Sequence, residues 1–200
     1  MALPTATPRA ATPVPVWEAS FADNARGWPD DPRSTAWITQ GGYQLSALEP
    51  GQFVAVGPAA NPPLGNVQVT ARFHKVGGPP GGGYGIIVRA QPRTALDGMS
   101  SGGAYDEREA GDRGEVGIWR REGDHWVDLV AWRPSAAVHP GSADNELVVR
   151  ALGQQLTLIV NGVVAAQAED ATLTSGTVGV FVGGDGNQAV LQQLRVERLD

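Results

Sequence analysis

The chain has 200 residues, 42% of them hydrophobic, enough for one domain with a substantial core and too many for wholesale disorder. Its 27 glycines and 15 prolines exclude a helical bundle, and the absence of cysteine excludes disulfides, thiolate metal sites and cysteine nucleophiles. A net charge of −6, with fourteen arginines against one lysine, disfavours nucleic acid as a partner, and no apolar run reaches the roughly 18 residues of a membrane helix.

Residues 1–15 carry four prolines spaced by alanine and threonine, the composition of an extended linker or disordered tail, ahead of a single domain over 16–200. No charged and apolar signal-peptide pattern opens the chain, which reads as soluble. Trp17, Trp28 and Trp37 read as core or edge packing. Asp23 and Asn24, with Asp30 and Asp31, could offer oxygen ligands to a structural calcium, although no EF-hand spacing is present. Gly41-Gly42 marks a hairpin, and Phe53–Val56 is a short apolar strand. Val67, Val69, Ala71 and Phe73 alternate with polar residues, which places Arg72 and His74 on the polar face of their strand.

Gly77 to Gly83 (GGPPGGG) is expected to be a loop, followed by a strand from Tyr84 to Gln91 in which Arg89 lies opposite Ile86 and Val88. Pro92 to Gly103 is a second, longer loop. Tyr105, Glu107 and Glu109 share one face of an acidic stretch, read as solvated and balanced by Arg108 and Arg113. If Val116 and Ile118 face the core, Trp119 points outward; by the same alternation Trp126, Asp128 and Trp132 point away from Val127, Leu129 and Ala131. Strands over 145–151, 156–160 and 163–166 follow, the last two joined by Asn161-Gly162, a type I′ turn signal. Thr177–Val182 and Ala189–Leu199 close the series. With about a dozen to fourteen strands, no helical stripe and no fixed-period repeat, the chain is expected to be an all-β two-sheet sandwich.

The ordered series Phe21-x-Asp23-Asn24-x-x-x-Trp28, YGIIVRAQ at 84–91, the stretches at 114–141 and 145–166, and GTVGVFVGG at 176–184 resembles the concanavalin A-like jelly roll. The closer likeness is to its laminin-G-like and 3-keto-disaccharide-hydrolase-like branch. This resemblance covers roughly residues 17–199 and implies an antiparallel jelly roll from a bacterial extracytoplasmic protein. The proline-rich segment would then be a stalk to an upstream membrane protein. Family 16 glycoside hydrolases of the same superfamily place carboxylates at i, i+2 and i+4 of one strand. Here Glu107 and Glu109 fit two of these positions, but the third is Gly111 and Tyr105 stands before them.

The resemblance and the strand faces together imply a non-catalytic module binding a carbohydrate on its concave sheet, without a cofactor. Arg72, His74, Arg89, Tyr105, Glu107, Trp119 and Trp126 are the expected ligand-binding residues, because an indole stacks on a sugar ring while charged groups take its hydroxyls. Trp119 should lie in a shallow groove bordered by loops 77–83 and 92–103. One alternative is a glycoside hydrolase using Glu107 and Glu109, or Asp128; another is a structural subunit of a surface assembly. The three histidines, His74, His125 and His139, form no metal-binding pair.

Overall fold

The computed structural model describes residues 11–48, 50–51, 53–91 and 103–200. The period-two alternation becomes antiparallel strands throughout, with no helix among the described residues. In chain order these are β1 (Pro13–Ala19), β2 (Ala36–Thr39), β3 (Gly42–Ser46), β4 (Phe53–Val56), β5 (Val67–Gly77), β6 (Gly83–Ala90) and β7 (Ala104–Gly111). The second half supplies β8 (Glu115–Glu122), β9 (His125–Pro134), β10 (Asn145–Leu152), β11 (Gln155–Val160), β12 (Val163–Glu169), β13 (Thr177–Gly183) and β14 (Gln188–Leu199).

One sheet runs β12-β11-β10-β5-β14-β3-β2, with β1 added on β14; the other runs β4-β13-β6-β7-β8-β9. β14 pairs with β3 through Gln188–Leu191 and with β1 through Leu194–Leu199, so two short strands share one of its edges. Pro13, Val14 and Pro15 pair with Leu199, Arg198 and Glu197, which corrects the expected linker boundary: these residues belong to the sheet. Proline is tolerated there because β1 needs few ladder donors at that end.

The core lies between the sheets. Val67, Val69, Ala71 and Phe73 of β5 meet Tyr84, Ile86 and Val88 of β6, and Trp17 and Trp28 join the same cluster. Asn161 and Gly162 both take positive φ (49° and 81°), as the type I′ turn requires. Two buried asparagines fix the loops. Asn145 donates to the Tyr84 hydroxyl at 2.8 Å and accepts from the His139 amide at 2.8 Å. Asn187 donates to the carbonyls of Gly83 and Gly183, each at 2.9 Å, tying β6 to β13. The sole lysine, Lys75, is buried against Asp112, whose other oxygen accepts the Gly81 amide at 2.7 Å. That pair anchors the glycine-proline loop between β5 and β6, as expected a loop. Of the second expected loop, 92–103, all but Gly103 lies outside the described residues.

β7 departs most from expectation. Its acidic stretch is not solvated: Tyr105 through Gly111 are all buried. Alternation sends Asp106 and Arg108 between the sheets and Tyr105, Glu107 and Glu109 to the outer face. Inside, the Asp106 carboxylate lies 3.8 Å from Arg89 and 3.9 Å from Arg108. Burial raises the Asp106 pKa to about 6 against the pull of Arg108, and burial lowers that of Arg108 to about 10.

Candidate functional site

Six strands side by side give the second sheet an outer face whose relief follows from register. Across β13, β6 and β7, Gly183, Gly83 and Gly111 stand opposite one another. In a neighbouring row Phe181, Gly85, Glu109 and Gly117 are aligned, and in a third Ile87, Glu107, Trp119 and Asp128. Residues without side chains, placed next to one another on a sheet, leave a depression.

Large rings then fold over these glycines. A Cβ on Gly117 would lie 1.9 Å from the Trp119 ring, and one on Gly183 would lie 2.7 Å from Phe181. Cβ atoms on Gly83 and Gly111 would each approach the Trp132 ring to 3.2 Å. The result is a groove of about 390 Å³ lined by Phe53, Trp119, Trp126, Trp132 and Phe181, with Glu107, Glu109 and Asp185. Gly81 and Gly83, at the end of the expected glycine-rich loop, also line it.

The rings form two groups. Trp119 and Trp132 lie with centroids 4.8 Å apart at a tilt of 57°. Phe53 stacks on Phe181 at 5.3 Å, and Trp126 meets both edge-on, at 5.7 and 6.2 Å. The Arg121 guanidinium lies 4.7 Å from the Phe53 centroid and 4.9 Å from that of Trp126, a cation–π contact that holds the second group. Trp126 and Trp132 remain 40% and 44% exposed, so ring surface faces solvent.

The carboxyls are the electrostatic centre. Glu107 is 1% exposed and Glu109 6%, and among the described residues neither oxygen of Glu107 receives a hydrogen bond from a donor. Burial, then the neighbouring Glu109, pushes the Glu107 pKa well up; burial raises that of Glu109 to about 7. Two carboxylates in contact have acceptors only, so they gain a mutual hydrogen bond when they share a proton.

The expected binding residues divide cleanly. Glu107, Trp119 and Trp126 come together in the groove, and Tyr105 supports them, 1% exposed and edge-on to Trp126 at 5.9 Å. Arg72 and His74 do not join them. They lie on the outer face of the other sheet, 3.6 and 3.5 Å from Asp144, on the far side of the sandwich. Arg89 is not on the groove face either. It has φ 56° where the β6–β13 register shifts, and this bulge turns its side chain inward to the Gly153 carbonyl. Asp128 faces Trp119 across the β8–β9 ladder.

Asp23 accepts the Ala25 amide, and Asn24 bridges to Trp28 by donating to its carbonyl and accepting its amide at 2.7 Å. Both side chains thus serve a turn, and among the described residues no three His, Cys, Asp or Glu side chains gather as a metal site. Sequence reasoning missed Phe53, Trp132, Phe181 and Asp185 as groove residues. Phe181 was within reach, because it alternates with the core residues Val180 and Val182.

No protein-family model matches the sequence, and no curated protein matches it. Among solved structures, the chain is similar to the carbohydrate-binding module CBM66 of Bacillus subtilis at 13% identity and TM-score 0.63, covering 90% of this chain and 94% of that one. A Bacillus subtilis protein of unknown function with a galectin-like fold matches at 14% identity and TM-score 0.68, over 94% and 98% of the two chains. The κ-carrageenase of Pseudoalteromonas carrageenovora matches at 10% identity and TM-score 0.66, over 100% of both. The chain therefore has the concanavalin A-like jelly-roll fold that its segment order resembled.

Proposed function

We propose that this domain binds a glycan in the outer groove of its six-stranded sheet and does so outside the cytoplasm. The observation that carries the reading is the pairing of exposed indole surface with buried, unpartnered acceptors over a glycine floor. Apolar C–H faces of a sugar stack on Trp119, Trp126 or Trp132, while its hydroxyls donate to Glu107 and Glu109. The likeness in fold to a carbohydrate-binding module supports this.

A glycan array at high protein concentration, followed by calorimetry on the hits, tests the proposal. Dissociation constants in the micromolar-to-millimolar range, about −4 to −8 kcal/mol, are expected. Trp119→Ala should weaken binding on the order of ten- to hundredfold while leaving the unfolding transition intact, because the indole packs on Gly117 outside the core. Undiminished affinity in that variant would remove Trp119 from the site; a blank array would favour a structural subunit instead.

Hydrolysis has less support. A retaining glycosidase separates its carboxyls by about 5–5.5 Å so that they flank the bond. Gly111 occupies the third position of the hydrolase strand and Tyr105 precedes Glu107, so no two carboxyls stand four residues apart on this face of β7. Turnover of any bound glycan that vanishes in Glu107→Gln would reverse this conclusion.

A further inference from the structure

Resting on that reading of the groove, we infer that its preferred ligand is a glycan bearing a free, protonated amine: an amino sugar in place of a neutral or acidic one. Three carboxyl groups line the groove, those of Glu107, Glu109 and Asp185, and among the described residues no lysine, arginine or histidine does. Glu107 is almost wholly buried, and both its oxygens lack a donor among the described residues. Two arginines flank the groove: Arg121 is held between Phe53 and Trp126 and lies 3.5 Å from Asp124, and Arg113 donates to the Pro80 carbonyl beside Gly81.

Each ligand class meets this arrangement differently. A sulfated or uronic sugar would bring like charge to a desolvated carboxyl pair, which is repulsive. A neutral sugar offers hydroxyl donors but no positive charge that would favour the ionised form of this buried pair, which otherwise holds a proton. An ammonium offers three donors with a full charge, and charge-assisted hydrogen bonds are roughly twice as strong as neutral ones. The exposed surface of Trp132, which packs against Trp119 with centroids 4.8 Å apart, attracts the same cation. A divalent metal ion has no comparable claim, since no third acidic or histidine ligand joins the pair among the described residues.

The test is calorimetry of the intact domain with three β-1,4-linked oligomers of equal length: glucosamine, N-acetylglucosamine and glucose. The glucosamine oligomer should bind about tenfold tighter than either neutral one, a difference of about 1.4 kcal/mol. That preference should shrink as salt rises from about 0.05 to 0.5 M, because screening acts on charge and leaves stacking alone. Glu107→Gln combined with Glu109→Gln should erase the preference, bringing the affinity for the glucosamine oligomer down to that for the two neutral ones. If that variant fails to fold, the ranking and salt dependence of the unmodified domain decide. Neutral oligomers binding as tightly as the amine form would overturn the inference and leave the glycan-binding reading standing. Binding by none of the three, with a blank array, would overturn both.

Discussion

Lowering the pH from 8 to 5 is expected to make the domain more stable by several kcal/mol. The cause is the set of buried carboxyls on β7. Glu109 has its pKa raised from 4.5 to about 7 by burial, Asp106 is raised to about 6, and Glu107 is shifted in the same direction. The unfolded chain releases these protons near pH 4 to 4.5, whereas the folded chain keeps them to higher pH. Between those limits the folded state binds more protons, so stability falls as pH rises. Glu109 alone contributes on the order of 3 kcal/mol, present below about pH 4.5 and lost as pH passes about 7. Carboxyls lowered by arginine, such as Asp170 beside Arg120, act in the opposite sense, but only near and below pH 4. Urea denaturation across pH 4.5 to 8 measures the slope, and Glu109→Gln should flatten it. A midpoint that rises with pH over this range would show that the pair is ionised in the native state.

Asp106→Ala should destabilise the domain by about 3–5 kcal/mol, the cost of leaving buried charge without its partner. Arg89 and Arg108 are 1% and 0% exposed, and among the described residues Asp106 is the carboxylate within 4 Å of both. Neither guanidinium can readily shed its proton, so both would remain charged between the sheets. Arg108→Met should cost much less. It removes a charge, fills a comparable volume among apolar neighbours, and leaves Asp106 with Arg89 as its counter-charge. Asp106 also titrates near neutrality already, so it can escape its charge by taking up a proton. Equal losses in the two variants, measured by the urea midpoint, would refute this asymmetry.

Why some of this was legible in the sequence and some not follows from the range of the interactions. Trp119, Trp126, Glu107 and Glu109 were assigned to one outward face because alternation is local and their strands keep it. Arg89 broke the pattern through one residue with positive φ, and a bulge has no compositional mark when it falls on arginine. Arg72 and His74 were read correctly as facing outward, yet a sandwich has two outer faces. Which one a polar stripe occupies depends on the pairing of β5 with β10 and β14, more than 70 residues away in sequence. β7 looked solvated because its residues are charged; inside the fold, Asp106 and Arg108 are counter-ions and the two glutamates neutralise by protonation. The groove itself required knowing that glycines from four strands are neighbours, and only register supplies that.

β9 forms an outermost ladder of its sheet, pairs among the described residues with β8 alone, and does so through two register shifts. It also carries Trp126 and Trp132. An edge strand with an interrupted ladder opens at lower free energy than the strands inside it. Two of the three groove indoles therefore travel with an edge strand of their sheet, while Trp119 stays on its neighbour. A ligand spanning Trp119 and either of the others bridges β8 and β9 as an extra rung would. Occupancy and closure of this edge become one equilibrium: ligand suppresses fraying, and any substitution that loosens β9 weakens binding without touching a contact.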